Sequence, residues 1–289
     1  MYSAISSSQW KSKGNYFTRK NGRSIFYLDE GKGPTILFLH GFPTSSWDWS
    51  WVWQNFEGYR RVALDFIGYG YSDKPKDYDY SIFDQVDIVE ELLSSLDVKQ
   101  IYLVAHDFGD SIAQELIHRS NNNLMNVEIQ KTILLNGGLF MKYSSPRPIQ
   151  KILLSPIGFL ISKFLSFNRF KKSFSEVFAL EHKPSSEELK QFWDIITYKN
   201  GHRIAHKLIQ YINERYAFDD RWTKALSETK IPLKLIIGTQ DPVSGEPIAN
   251  RFREVSENSE IVLLNHIGHY PQTEDPLRIT EEISSFFLD

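Results

Sequence analysis

Asp107 stands where a short apolar run, Leu103-Val104-Ala105, gives way to a helix-like stretch through Ser111 to His118. Ala105 and Gly109 flank it, as a tight turn requires. A strand, a sharp turn and a helix in this order usually expose a serine for acyl transfer. A carboxylate cannot run that chemistry. It can attack an electrophilic sp³ carbon, displace a leaving group and form an alkyl ester that water later opens. The leaving group would be an epoxide oxygen or a halide. The following helix aims its N-terminus at Asp107, which favours negative charge there.

Opening such an ester needs an activated water, and two later segments supply the parts. Gly238-Thr239-Gln240-Asp241-Pro242 follows an apolar run and offers Asp241. Asn265-His266-Ile267-Gly268-His269 follows the last such run and offers a histidine. A buried carboxylate orients and polarises an imidazole that takes a proton from water. His269 is favoured over His266 because it follows Gly268 and leads into a final helix; His266 is then structural. Asn136, after an earlier strand, cannot ionise, which leaves Asp241 as the acid. His40-Gly41-Phe42-Pro43 follows the run Thr35 to Leu39. The backbone N–H of Phe42 and that of Phe108 are the expected donors to an oxyanion formed during ester hydrolysis.

The supports of these residues are strands expected at Tyr16 to Arg19, Arg23 to Asp29, Thr35 to Leu39 and Arg61 to Leu64. Others are expected at Ile101 to Ala105, Thr132 to Leu135, Leu233 to Ile237 and Glu260 to Leu264. Asn21-Gly22 marks a turn between the first two. Most are unbroken apolar runs, the mark of strands buried on both faces. Helical periodicity over Ile82 to Leu96 and Ser111 to His118 falls between them. The pattern predicts an α/β fold with a mostly parallel sheet covered on both sides. From Leu139 to Thr229 the chain turns rich in Lys, Ser, Phe and Tyr and shows no strand. So long a segment exceeds an ordinary crossover. We expect a core of residues 1–138 and 229–289 and an inserted helical cap of residues 139–228, lying over the strands' carboxyl ends.

The chain has 289 residues with a net charge of −3, which gives no reason to expect a nucleic-acid partner. Cysteine is absent, so no disulfide or Cys-based metal site exists, and a cytoplasmic location is expected. The polar stretch Met1 to Gly14 lacks a signal-peptide core. No apolar run reaches the roughly 18 residues of a spanning helix. The longest patch, Ile152 to Phe167, is interrupted by Ser155, Pro156, Gly158, Ser162 and Lys163, and reads as a buried or lid helix.

HGFPTSS at 40–46, LDFIGYGYSDKP at 64–75, HDFG at 106–109, GTQDP at 238–242 and GHYPQTEDP at 268–276 together resemble the α/β-hydrolase superfamily. The likeness is to the branch holding epoxide hydrolases and haloalkane dehalogenases. HDFGDSIAQEL at 106–116, NGGLF at 136–140 and QYINER at 210–215 are similar to mesoderm-specific transcript-like hydrolases. The resemblance spans nearly the whole chain and implies the α/β-hydrolase fold with a cap. It makes Gly68-Tyr69-Gly70 a structural turn rather than a dinucleotide loop.

Dehalogenases of this branch hold the halide between two N–H donors, one from a Trp after the nucleophile. Here Phe108 and Phe42 stand in the corresponding loops, and neither side chain can donate. Epoxide hydrolases protonate the ring oxygen with cap tyrosines. Tyr143, Tyr198, Tyr211 and Tyr216 are available, and Tyr211 lies nearest the family's later cap tyrosine. The expectation is therefore hydrolysis of an epoxide to a vicinal diol through an ester on Asp107, with Asp241 and His269 activating water and Tyr211 as acid. The alternatives are a dehalogenase or a homologue that binds ligands without turnover. The substrate would be small and apolar, and no cofactor or metal is expected. Within the Trp47, Trp49, Trp51, Trp53 series, Trp47 is expected to wall the pocket, with Tyr143. Asp110, where the family usually has a small residue, puts a second carboxylate near Asp107.

Overall fold

A computed structural model describes residues 4–257 and 259–288. Met1 to Ser3 of the polar N-terminal stretch lie outside them. All eight expected strands form, with ends shifted by a few residues: β1 (Asn15–Thr18), β2 (Ser24–Glu30), β3 (Thr35–Leu39), β4 (Arg60–Leu64), β5 (Gln100–His106), β6 (Glu128–Leu135), β7 (Leu233–Gly238) and β8 (Glu260–Leu264). They make one sheet in the order β1-β2-β4-β3-β5-β6-β7-β8. The β1–β2 and β2–β4 pairs are antiparallel and the remainder parallel.

Parallel strands need crossovers, and helices supply most of them. The helices are α1 (Ser7–Lys13), α2 (Ile82–Ser95), α3 (Phe108–Asn121), α4 (Pro148–Leu154), α5 (Gly158–Lys163), α6 (Phe167–Ser175), α7 (Ser186–Thr197), α8 (Ala205–Leu208), α9 (Tyr211–Ala217), α10 (Asp219–Glu228), α11 (Glu246–Val255), α12 (Pro271–Glu274) and α13 (Pro276–Leu288). Side chains alternate across the sheet. Leu37, Leu39, Leu103, Ala105, Leu134 and Leu235 join one buried cluster, while Ile36, Phe38, Val104, Ile133, Leu135 and Ile236 join the other. Both faces are covered, which is why the strands read as unbroken apolar runs.

Register brings the chemistry together. Leu39 pairs with Ala105, and His106 with Leu135. The loop after β3, the turn after β5 and the segment starting at Asn136 therefore emerge side by side. Gly238 pairs with Leu264, so the loops after β7 and β8 emerge beside them.

Among the described residues, the chain between β6 and β7 holds only helices and turns. These helices are not all placed alike. The last of them, α10, packs on α3: Arg221 donates through Nε and Nη2 to Glu115 at 2.8 Å each, and Trp222 Nε1 donates to Glu115 at 2.9 Å. The tryptophan series forms short 3-10 turns, Ser46–Trp49 and Trp53–Phe56, rather than a strand. These rings pack inward. Phe38 lies 5.1 Å from Trp49, and Trp10 lies 5.0 Å from Trp53, between ring centres.

Candidate active site

Asp107 occupies the turn between β5 and α3 with φ 49° and ψ −106°. Positive φ is costly for a residue with a Cβ and persists only where surroundings impose it. Here they do. The Asp107 N–H donates to Leu135 O at 3.1 Å. Close packing needs glycine on both sides: a Cβ on Gly41 would lie 2.9 Å from Asp107 Cβ, and one on Gly109 would lie 2.6 Å from Leu39 O. The helix begins at Phe108, three residues before the periodicity suggested, because its first turn carries Gly109 and Asp110 instead of apolar residues.

The Phe42 N–H donates to Asp107 Oδ2 at 2.9 Å. That oxygen is held, and Oδ1 faces His269, whose Nε2 is 3.8 Å away. The gap is too long for a hydrogen bond. Phe108 opens α3, so its N–H has no partner within the helix. On its other side, His269 Nδ1 donates to Asp241 Oδ2 at 2.8 Å. Asp241 is saturated with donors: Asn136 Nδ2 at 2.8 Å and Ser244 Oγ at 2.6 Å reach Oδ2, and Val243 N reaches Oδ1 at 2.8 Å. Burial alone would raise its pKa, but the His269 charge and these bonds bring it below the usual value. Burial likewise disfavours the His269 imidazolium. The charges of Asp241, Asp107 and Glu274 outweigh it and raise the pKa to about 9. The structure thus brings Asp107, Asp241, His269 and Phe42 together as a connected set.

Sequence reasoning missed two supports. Asn136 does not ionise, yet it fixes Asp241 from β6 and accepts the Gly238 N–H at 2.9 Å. Glu274 accepts three backbone N–H groups: Gly268 at 2.8 Å, Tyr270 at 2.9 Å and Ala179 at 3.0 Å. It brackets His269 in the chain and ties that loop to the helical segment. His269 N adds a bond to Val177 O at 2.9 Å. The GHYPQTEDP motif contained Glu274, but sequence alone gave no sign of what it would bond.

A cavity of about 420 Å³ lies against this set. Phe42, His269 and Tyr270 line its inner part, and Tyr69, Leu208 and Trp193 are among its walls. Tyr211 is buried, its ring 4.7 Å from Phe108 and 5.9 Å from Phe42. Tyr69 stacks on Phe108 at 5.6 Å, and its hydroxyl is buried without a partner. Burial first, and the Asp107 charge among the smaller causes, push both phenols well above their usual pKa. Both are therefore protonated at neutral pH. Tyr69, from the turn-forming Gly68-Tyr69-Gly70, is a second phenol near Asp107 that the sequence did not single out.

Two expected pocket residues lie elsewhere. Trp47 is wholly buried against Trp51 and Phe192, each 4.8 Å away, and its Nε1 donates to Ile5 O at 2.7 Å, so it does not line the cavity. Tyr143 is 43% exposed beside Arg251 and also stands outside it. Asp110 is fully buried with neither oxygen bonded. Burial first, and then the Asp107 charge, raise its pKa well above the usual value. A Cβ on Gly137 would meet its Oδ2 at 2.1 Å. Among the described residues, no three His, Asp or Glu side chains converge as a metal site.

This sheet, with its acid and histidine on the last two strand loops, defines a class, and sequence comparison agrees. The model of the alpha/beta hydrolase fold family matches residues 34–276, and the chain belongs to that family. It is similar to the human mesoderm-specific transcript homolog protein, 40% identical over 284 residues, covering 93% of this chain and 84% of that one. A haloalkane dehalogenase of Mesorhizobium japonicum is 39% identical over 112 residues, covering 38% of this chain and 36% of that one. Among solved structures, the haloalkane dehalogenase DbeA from Bradyrhizobium elkani superposes with a TM-score of 0.79 at 23% identity, covering 95% of this chain and 97% of that one. At that identity the likeness is one of fold.

Proposed function

We propose that this hydrolase opens epoxides to vicinal diols through a covalent ester on Asp107. The observation that carries the reading is the Asp107 carboxylate on the elbow, with Oδ2 held by Phe42 N–H and Oδ1 3.8 Å from His269 Nε2. In the first step Oδ1 attacks a ring carbon. The C–O bond breaks, its electron pair moves to the ring oxygen, and Tyr211 supplies the proton, with Tyr69 beside it. Ester formation removes the Asp107 charge, one of the causes holding the His269 pKa near 9. His269 then releases its proton to solvent and becomes the base, and it takes a proton back from solvent once the Asp107 charge is restored. Water enters between Nε2 and the ester, gives a proton to His269 and attacks Cγ. The N–H groups of Phe42 and Phe108 hold the resulting oxyanion. Collapse breaks the acyl C–O bond, and His269 protonates the leaving diol oxygen. The proton of the regenerated Asp107 acid returns to the tyrosinate.

Residues 139–218 would act as the cap, since α10 packs with the core; the cavity walls fit a small apolar substrate. A second reading, dehalogenation, is favoured by the dehalogenase relatives. Against it stand Phe42 and Phe108, which offer no side-chain donor to a departing halide.

The test is the intact mass of His269→Gln after exposure to a panel of epoxides and haloalkanes. A gain equal to a whole epoxide, mapped to Asp107, is expected. A gain equal to an alkyl group without its halogen would replace this reading with the second. No gain from either set, with the native chain also inactive, would point to a binding protein.

A further inference from the structure

The apolar stretch at Ile152 to Phe167, expected to form a buried or lid helix, walls the cavity on one side, while its other side takes no part in the proposed chemistry. It folds as α4 and α5, two short helices separated around Pro156. Their inner side chains Ile149, Leu153, Ile161 and Leu165 line the cavity. Their outer side is apolar as well. Ile152, Ile157, Phe159, Leu160 and Phe164 are 41%, 55%, 45%, 42% and 68% exposed. Five large apolar side chains are thus exposed within thirteen residues, and exposed apolar clusters of this kind mark interaction surfaces.

Charge identifies the partner. From Leu139 to Ser175 the chain has seven basic residues and no Asp or Glu, within a protein of net charge −3, so the remainder carries −10. Lys142, Lys151, Lys163, Arg169, Lys171 and Lys172 are all exposed. A second copy seated face to face would set this cationic segment against itself. An exposed apolar surface in a segment whose charged side chains are all Lys and Arg is instead the composition of an element that lies in a membrane interface, with its rings among acyl chains and its cations at anionic headgroups. Among the described residues, no helix is long and apolar enough to cross a membrane.

We infer that the outer face of α4 and α5 docks the protein on the surface of a bilayer containing anionic phospholipid. The helices that touch the lipid are then the helices that wall the cavity, so an apolar substrate dissolved in the bilayer meets the protein at the cavity's own wall. The docking itself does not depend on the reaction at Asp107, and its test uses no turnover.

The experiment is co-sedimentation of the whole chain with vesicles of phosphatidylcholine alone or of phosphatidylcholine with phosphatidylglycerol. Binding to the mixed vesicles is expected, with little to the neutral ones and a decline as salt rises. Lys163→Gln with Lys171→Gln should weaken partition roughly 25-fold, about fivefold for each cation removed. Phe159→Ser with Phe164→Ser should weaken it at least as much. All four positions are exposed, and thermal melting checks that each variant folds. Equal binding to both vesicle types, binding indifferent to both variant pairs, or no binding to either would overturn the inference. So would a dimer, seen by analytical ultracentrifugation, that the phenylalanine pair dissociates, because the face would then be an interface between copies.

Discussion

On the core side of the cavity, Asp241 accepts four hydrogen bonds and Glu274 three, drawn from the loops after β6, β7 and β8 and, through Ala179, from the helical segment. On the helical side, α4 and α5 show Phe159 and Phe164 to solvent, and their neighbouring cations find few partners. Of the seven basic residues from Leu139 to Ser175, Arg147 has an ion pair, with Glu176 at 2.8 Å, while the described residues give the others none. The contrast fits the two tasks proposed for these regions. A nucleophile and base must be held within a fraction of an ångström, and only saturated polar networks on a rigid sheet do that. A surface that meets a fluid partner needs composition more than fixed geometry.

The contrast can be broken most sharply at the proposed nucleophile. Asp107→Ala should abolish turnover, a loss of about 10⁴-fold or more, while circular dichroism shows an unchanged fold; retained activity would remove Asp107 from the mechanism. Asp241→Ala strips His269 of its main opposing charge. Ester hydrolysis should slow by roughly 10²- to 10⁴-fold with alkylation little changed, as single-turnover mass spectrometry would resolve. Equal slowing of both steps would refute the role given to Asp241.

The same pair gives a pH signature. The His269 pKa is raised from 6.5 to about 9 in the folded chain. Its protonation therefore stabilises the fold fully below the unfolded value of 6.5, and that stabilisation is lost as pH rises through 9. Melting temperature should fall over that window in the native chain, and Asp241→Asn should flatten the slope; an unchanged slope would contradict the coupling.

Glu274→Ala leaves three buried N–H groups without their acceptor. A loss of about 1–3 kcal/mol is expected in denaturant unfolding, with slowed ester hydrolysis because the His269 loop loosens. The smallest effect should come from the other side of the cavity: Phe164→Ser should change stability by no more than about 0.5 kcal/mol. A larger loss would mean that the exposed helices share the core's cooperative unit.

Much of the core was readable because strand burial and chemical order are local in sequence. Unbroken apolar runs marked the central strands, and the order of Asp107, Asp241 and His269 needed only the residues beside each run. The helical segment was less readable. Its periodicity separated it from the sheet, yet α10 belongs against α3 through Glu115, a contact between residues more than a hundred positions apart. The tryptophan series shows the same limit: Trp47 has the chemistry of a pocket wall, but Phe192 and Ile5 enclose it instead.

The sequence by itself determined the fold class and placed a carboxylate at the elbow and Asp241 and His269 on the loops after the last two strands, because each is written in a few neighbouring residues. The tertiary structure alone decided that Asn136 holds Asp241 and Glu274 holds the His269 loop, that Tyr69 joins Tyr211 beside Asp107, and that Ile152, Ile157, Phe159, Leu160 and Phe164 face outward. Those outcomes depend on strand register and on which surfaces remain uncovered after packing, and both arise from contacts between distant parts of the chain.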